Sequence, residues 1–145
     1  PEATAQAIDE NGFFHTGDIG TLKNGVLYIT GRTKNIIILS NGKNVYPEEI
    51  ETALALIPGI NEIVVYEGER KSDGERCIVS EIYPDQSYMA DHAIDDVPAY
   101  FSKHISEYNR TAVPYKKIGF VKIRTEEFPK NTMRKILRAN IDKKF

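Results

Sequence analysis

The stretch from Gly31 to Glu51, GRTKNIIILSNGKNVYPEEIE, constrains this chain more than any other. It sets a glycine–arginine turn, a lysine, four consecutive apolar residues, a second glycine turn and a helix start end to end. So compact a succession suits a small sheet with a helix laid across it. Gly31-Arg32 predicts a break in the preceding strand. Ile36-Ile37-Ile38-Leu39 then predicts a strand over Asn35–Ser40 that is buried on both faces. Ser40-Asn41-Gly42-Lys43-Asn44 is turn chemistry. Pro47-Glu48-Glu49 opens a helix, with proline at the first position and acids facing the positive end of the dipole. Ile50, Ala53, Leu54 and Ile57 would form its apolar face, and Pro58-Gly59 would stop it.

The flanking segments extend this layer. Ala3 to Ile8 predicts a short helix, ended by the turn Asp9-Glu10-Asn11-Gly12. Phe13-Phe14 suits a short strand entering a core, and Thr16-Gly17-Asp18 a tight turn. Asn24-Gly25 is a hairpin signal before Val26–Thr30, so residues 13–30 read as a β-hairpin with Asp18 near its mouth. Ile60–Tyr66 and Arg76–Tyr83 read as paired strands, Pro84–Asp91 as a loop, and Asp95-Asp96-Val97-Pro98 as the start of a second long helix. On that helix Val97, Tyr100, Phe101, His104, Ile105 and Tyr108 share one side. Ile118–Ile123 reads as a strand and Met133–Ile141 as a terminal helix. The predicted class is α+β: a small mixed sheet with packed helices, preceded by a hairpin.

Composition excludes some functions. Net charge is −2, so no bulk basic field recruits nucleic acid or anionic lipid. No apolar run is long enough to span a bilayer, which leaves only peripheral membrane contact open. The single cysteine, Cys77, cannot form an intrachain disulfide; it reads as core in a reducing, cytoplasmic setting. His15, His92 and His104 lie far apart in sequence, without metal-ligand spacing. No nucleophile elbow, Walker-type phosphate loop or dinucleotide fingerprint is present. What stands out is a set of charges on turns: Asp18, Arg32, Lys34, Lys43 and Lys135. A carboxylate at a turn mouth can accept two hydroxyl hydrogen bonds, as a ribose diol requires. Arginine and lysine beside glycine can approach phosphate closely. Taken singly, each reads as a turn-former or a solvated charge.

Three ordered stretches give these charges a context: FFHTGD at Phe13–Asp18, Gly31–Glu51, and PKNTMRK at Pro129–Lys135. Together they resemble the closing motifs of the adenylate-forming enzymes. That group includes acyl-CoA synthetases, nonribosomal adenylation domains and luciferases. The turn Asn41-Gly42-Lys43-Asn44 followed by Pro47 and Ile50-Glu51, with Tyr108-Asn109 before Val113-Pro114-Tyr115, is most similar to the long-chain fatty acyl-CoA synthetase branch. The resemblance covers nearly the whole chain. It implies an AMP-forming fatty-acid–CoA ligase that uses ATP, magnesium and coenzyme A. It further implies that residues 1–30 are the end of a large AMP-binding domain and residues 31–145 a mobile C-terminal domain. The acyl pocket, adenine site and magnesium carboxylate would then lie before residue 1, and the isolated chain would be inactive.

Position by position, the resemblance gives Asp18 the ribose hydroxyls, Arg32 ribose or phosphate, and Lys34 the hinge. It gives Lys135 the α-phosphate and acyl carboxylate, as the catalytic cation. Gly42 and Lys43 would lie near the pantetheine path. The lead-in Asn131-Thr132-Met133-Arg134 departs from the family's Thr-x-Ser-Gly. Losing that glycine predicts a stiffer loop, with Arg134 as a second cation beside Lys135 and Lys130 solvated nearby. Two alternatives belong to other classes: an amino-acid adenylation fragment serving a carrier protein, and a non-catalytic interaction module that kept the fold.

Overall fold

The computed structural model describes residues 2–145; Pro1, the first residue of the expected 1–30 segment, lies outside the described residues. Helix α1 (Glu2–Ala7) precedes a hairpin of β1 (Asp18–Lys23) and β2 (Val26–Arg32), joined at Asn24-Gly25. Asn24 and Gly25 both hold positive φ, +50° and +78°, as a primed two-residue turn requires. Contrary to the sequence reading, Gly31-Arg32 does not break the strand. Arg32 pairs with Asp18 and Gly31 with Ile19, and the irregularity falls instead as a bulge between Ile19 and Gly20. Gly31 is buried against Tyr46 and Glu48, where an added Cβ would meet Glu48 Oε2 at 3.0 Å. Its glycine therefore serves close packing rather than a turn.

A 3-10 turn (Thr33–Asn35) leads to a two-stranded ribbon, β3 (Ile37–Ile38) with β4 (Asn44–Val45). The expected strand over Asn35–Ser40 shrinks to this pair, and its burial is one-sided: Ile37 is buried while Ile38 is 70% exposed. A lone ribbon has one face on the core and one in solvent, so the apolar run does not report two-sided burial here. Helix α2 (Pro47–Leu54) buries Pro47, Ile50 and Leu54 but leaves Ala53 exposed.

The main sheet follows. β5 (Ile60–Glu69) pairs antiparallel with β6 (Arg76–Pro84), and β6 pairs parallel with β7 (Phe120–Ile123). This is the expected mixed sheet, with β6 at its centre. Between β6 and β7 come α3 (Gln86–Asp91), α4 (Val97–Thr111) and a second 3-10 turn (Pro114–Lys116). α3 replaces the predicted loop. Asp85 caps it by accepting a hydrogen bond from Tyr88 N–H, and Met89 is buried. α4 forms as expected, with Asp96 accepting from Ala99 N–H and with Phe101 and Ile105 buried.

Strand alternation divides the core. On one face Val65 and Ile78 pack with Ile50, Leu54 and Ile105, under the helices. On the other, Val64, Tyr66 and Val79 pack with Phe128 and Ile141 from the C-terminal segment. That segment is not the predicted helix over Met133–Ile141. Only Arg138–Asn140 makes a 3-10 turn, and Lys130 bridges Ile136 across a tight loop. Extended chain suits it because it lies along the sheet and supplies isolated apolar residues rather than a helical stripe. Phe13 and Phe14 do not enter the core; they are 70% and 66% exposed.

Candidate functional site

An open cleft of about 1360 Å³ lies between the mouth of the hairpin, the first turns of α2 and the loop after Pro129. Asp18, Arg32, Lys34 and Lys135 all line it. Four residues picked from three separate sequence motifs thus meet on one surface. Each is delivered by a local device. Asp18 starts β1 just after Gly17, whose φ of +74° makes the turn. Asp18 N–H donates to Thr16 Oγ1, and Gly17 O accepts from both the N–H and the Oγ1 of Thr33. The turn is therefore strapped to the segment that carries Arg32 and Lys34.

Asp18 and Arg32 are register partners and form an ion pair, Nε to Oδ1, at 2.9 Å. Both remain partly exposed, so the contact orients the two groups more than it stabilises the fold. Among the described residues no other hydrogen bond engages the second carboxylate oxygen or the terminal guanidinium nitrogens, and both residues line the cleft. The other carboxylates of the cleft each have a partner, although Oε2 of Glu48 is buried without one. Glu48 accepts from Asn35 Nδ2 at 2.5 Å, Glu49 pairs with Lys116 at 2.7 Å, and Glu51 pairs with Arg138 at 2.6 Å. The Glu49 contact raises the Lys116 pKa and keeps that amine charged. Among the described residues no carboxylate lies within ion-pair distance of Lys34 or Lys135. The cleft therefore offers unpaired ammonium groups beside a carboxylate–guanidinium pair, an arrangement suited to a polyanion that also carries hydroxyls. Lys34 also lines a neighbouring pocket of about 330 Å³, so it borders both spaces.

Lys135 stands in a loop closed by Asn131, whose Oδ1 accepts from Met133 N–H at 3.0 Å and Lys135 N–H at 2.9 Å. Arg134 takes φ +59°, the left-handed conformation that glycine adopts without steric cost. Lys130 is not solvated as expected: it pairs with Glu62 and with Glu127. Gly42 and Lys43 do not join the cleft. They turn the β3–β4 ribbon, with Gly42 at φ +76°, and Lys43 Nζ lies 5.9 Å from the ring centroid of Tyr115. The histidines each have a neighbour. His15 lies 3.6 Å from Asp9, His104 lies 3.5 Å from Glu107, and His92 Nδ1 is 2.9 Å from Tyr88 O. Among the described residues no three His, Cys, Asp or Glu side chains gather as a metal site.

Several supporting residues carry no sequence signal. Glu81 is fully buried on β6. It accepts from Tyr66 OH and Arg124 Nη1, both at 2.6 Å, with Lys122 at 3.5 Å. Burial, reinforced by that carboxylate, pushes the Tyr66 hydroxyl pKa far above its ordinary value. Glu62, Arg124 and Arg138 read as ordinary surface charges until the chain folds.

The relatives decide the family. Long-chain-fatty-acid–CoA ligase FadD13 of Mycobacterium tuberculosis is 36% identical over 140 residues, covering 96% of this chain and 25% of that protein. The 2-succinylbenzoate–CoA ligase of Oceanobacillus iheyensis is 32% identical over 143 residues, covering 97% and 26%. The chain belongs to the AMP-binding acyl-CoA ligase family. Its fold is that of the C-terminal domain of these enzymes. O-succinylbenzoate coenzyme A synthetase from Bacillus subtilis, solved with ATP and magnesium ion, superposes with a TM-score of 0.71 at 26% identity, over 97% of this chain and 26% of that one. The chain thus spans about a quarter of the length of the ligases it matches. No family model matches it. No helix among the described residues is long and apolar enough to cross a membrane.

Proposed function

We propose that this chain is the C-terminal part of an AMP-forming acyl-CoA ligase acting in the cytoplasm, with a long-chain fatty acid as the preferred acid. Residues 1–30 would close the large AMP-binding domain, and residues 31–145 would form the mobile domain. The observation that carries this reading is the shared cleft: Asp18, Arg32, Lys34 and Lys135 line it, and Gly42-Lys43 lie outside it. That separation fits two half-reactions served by two faces of one domain.

In the first half-reaction a carboxylate oxygen of the acid attacks the α-phosphorus of ATP. The bond to the β,γ-phosphates breaks and pyrophosphate leaves, giving an acyl-adenylate. Asp18 accepts the ribose hydroxyl hydrogen bonds, and Arg32, held beside it, donates to ribose or phosphate. The Lys135 ammonium offsets charge on the transferring phosphoryl group and the carboxylate. Rotation about Lys34 then turns the Gly42-Lys43 ribbon toward the site. A glycine at the turn lets the pantetheine arm of coenzyme A run close to backbone. The coenzyme A sulfur attacks the acyl carbonyl, the carbon–oxygen bond to AMP breaks, and the thiol proton passes to solvent. Magnesium, present in the superposed synthetase, would be held by a carboxylate of the preceding domain and would neutralise phosphate charge there.

The test is Lys135→Ala in the full-length ligase. Acid-dependent exchange of labelled pyrophosphate into ATP is expected to fall about 10²–10³-fold, as for removal of one charge-stabilising group. Thioester formation from supplied acyl-adenylate is expected to persist. Equal survival of both half-reactions would remove Lys135 from the chemistry.

A further inference from the structure

Lys135 is an exposed side chain on a loop, yet the proposed chemistry needs its amine in one place. The loop is self-closed. Besides the two hydrogen bonds to Asn131 Oδ1, Asn131 N–H donates to Lys135 O at 2.9 Å, and Arg134 N–H to Asn131 O at 2.9 Å. Self-closure fixes the shape of the loop but not where the loop points. Its direction depends on what holds its two ends.

Both ends are held to the same strand by carboxylates. On the entering side, Glu62 of β5 accepts from Phe128 N–H at 3.1 Å and forms an ion pair with Lys130. On the leaving side, Arg138 donates to Glu51 Oε2 at 2.6 Å and to Val65 O at 3.3 Å. Glu51, from α2, accepts Val65 N–H of β5 through its other oxygen at 2.7 Å. Glu51 thus joins a backbone group of β5 to a cation of the C-terminal segment, while Glu62, itself on β5, holds both a backbone group and a cation of that segment. Glu51 and Glu62 are each 14% exposed in their side chains, shielded enough to hold these contacts in a set geometry. Between the two anchors, Pro129 O accepts from Leu137 N–H at 2.7 Å and draws the ends of the loop together.

We infer that Glu62 and Glu51 are positioning residues for Lys135: two carboxylate clamps, one on β5 and one on α2, that tie the ends of its loop to β5 and aim it into the cleft. The inference rests on the proposed adenylation role of Lys135. It adds two acidic residues, both engaged in these contacts rather than free for a ligand, as determinants of the first half-reaction. Misplacement of a charge-stabilising group by about 1 Å can cost on the order of 10²-fold, so loosening one clamp should register strongly in that step alone.

The experiment uses full-length ligase carrying Glu62→Gln, Glu51→Gln or Lys135→Ala, with unchanged protein alongside. Pyrophosphate exchange, thioester formation from supplied acyl-adenylate, and thermal melting are measured on each. Each glutamine variant is expected to lose on the order of tenfold in the exchange kcat with little change in KM for ATP. Thioester formation should stay near that of the unchanged protein. Retained exchange, or a parallel fall of both half-reactions that tracks the melting temperature, would show the glutamates to be scaffold only and overturn the inference. If Lys135→Ala loses exchange while the glutamine variants keep it, the clamps fail and the reading of Lys135 stands. If Lys135→Ala itself keeps exchange, the reading of Lys135 falls, and this inference with it.

Discussion

Arg134 sits at φ +59°, where a side chain with a Cβ is crowded against its own backbone. Forcing an ordinary residue there costs roughly 1–2 kcal/mol, and glycine avoids that cost while adding backbone entropy to the unfolded chain. The loop accepts the crowding because Asn131 fixes the residues on either side. Arg134→Gly is therefore expected to leave stability unchanged or raise it by up to about 1 kcal/mol, whereas Arg134→Val should destabilise by about 1–2 kcal/mol. Denaturant unfolding of the two variants would show this order or refute it. If Arg134 only shapes the loop, the glycine variant also keeps full pyrophosphate exchange; a large loss would mean that its cation shares the work of Lys135. The departure at Arg134 was visible in the sequence. The left-handed geometry that gives it meaning was not, since φ depends on how the loop closes.

At the scale of elements, the 3-10 turn Thr33–Asn35 joins the hairpin to the rest of the chain. Arg32 before it is extended, with φ −122° and ψ 139°, and Ile36 after it has ψ 131°, so the bend is concentrated at the three residues around Lys34. Such a short turn is a natural place for a swivel, because few hydrogen bonds must break to redirect it. Proline at Lys34 would lock φ near the value this turn uses. Lys34→Pro is expected to keep acyl-adenylate formation and to lose thioester formation, read by the same two half-reaction assays. Loss of both, or of adenylation alone, would argue against a hinge at Lys34. The long helices and paired strands could be read from periodicity and caps. The ribbon β3–β4 and helix α3 could not. Ile36–Leu39 looks like a doubly buried strand, but only Ile37 and Leu39 find neighbours. α3 is short, and its cap at Asp85 competes with an equally good turn reading.

At the scale of the whole molecule, the hairpin is the least covered part. Phe13, Phe14, Leu22, Leu27 and Ile29 are each more than 60% exposed, although the main sheet is covered on both faces. With the chain spanning a quarter of its relatives' length, the isolated 145 residues are expected to show no acid-dependent pyrophosphate exchange above background. Turnover by the purified chain would contradict the assignment of the acyl and adenine sites to preceding residues. The same preparation should bind a hydrophobic dye through the hairpin face, an exposure unusual for a lone soluble domain.

Local chemistry settled a good deal from the sequence alone. Asn24-Gly25 set the hairpin, and Asp96 and Pro98 the start of α4, because those signals act between neighbours along the chain. Three ordered motifs also singled out Asp18, Arg32, Lys34 and Lys135. Tertiary structure alone decided that these four face one cleft while Gly42 and Lys43 face elsewhere. It alone paired Glu81 with Arg124, Glu62 with Lys130, and Glu51 with Arg138. A charge shows in sequence only as a charge; whether it is solvated or clamps a loop depends on a partner 43, 68 or 87 residues away. The C-terminal segment shows the same limit. Its apolar residues suggest a helix, but β5 and β6 present a flat, unfilled face. Extended chain with spaced anchors at Phe128, Ile136 and Ile141 covers that face, and the turn it must make on the way carries Lys135.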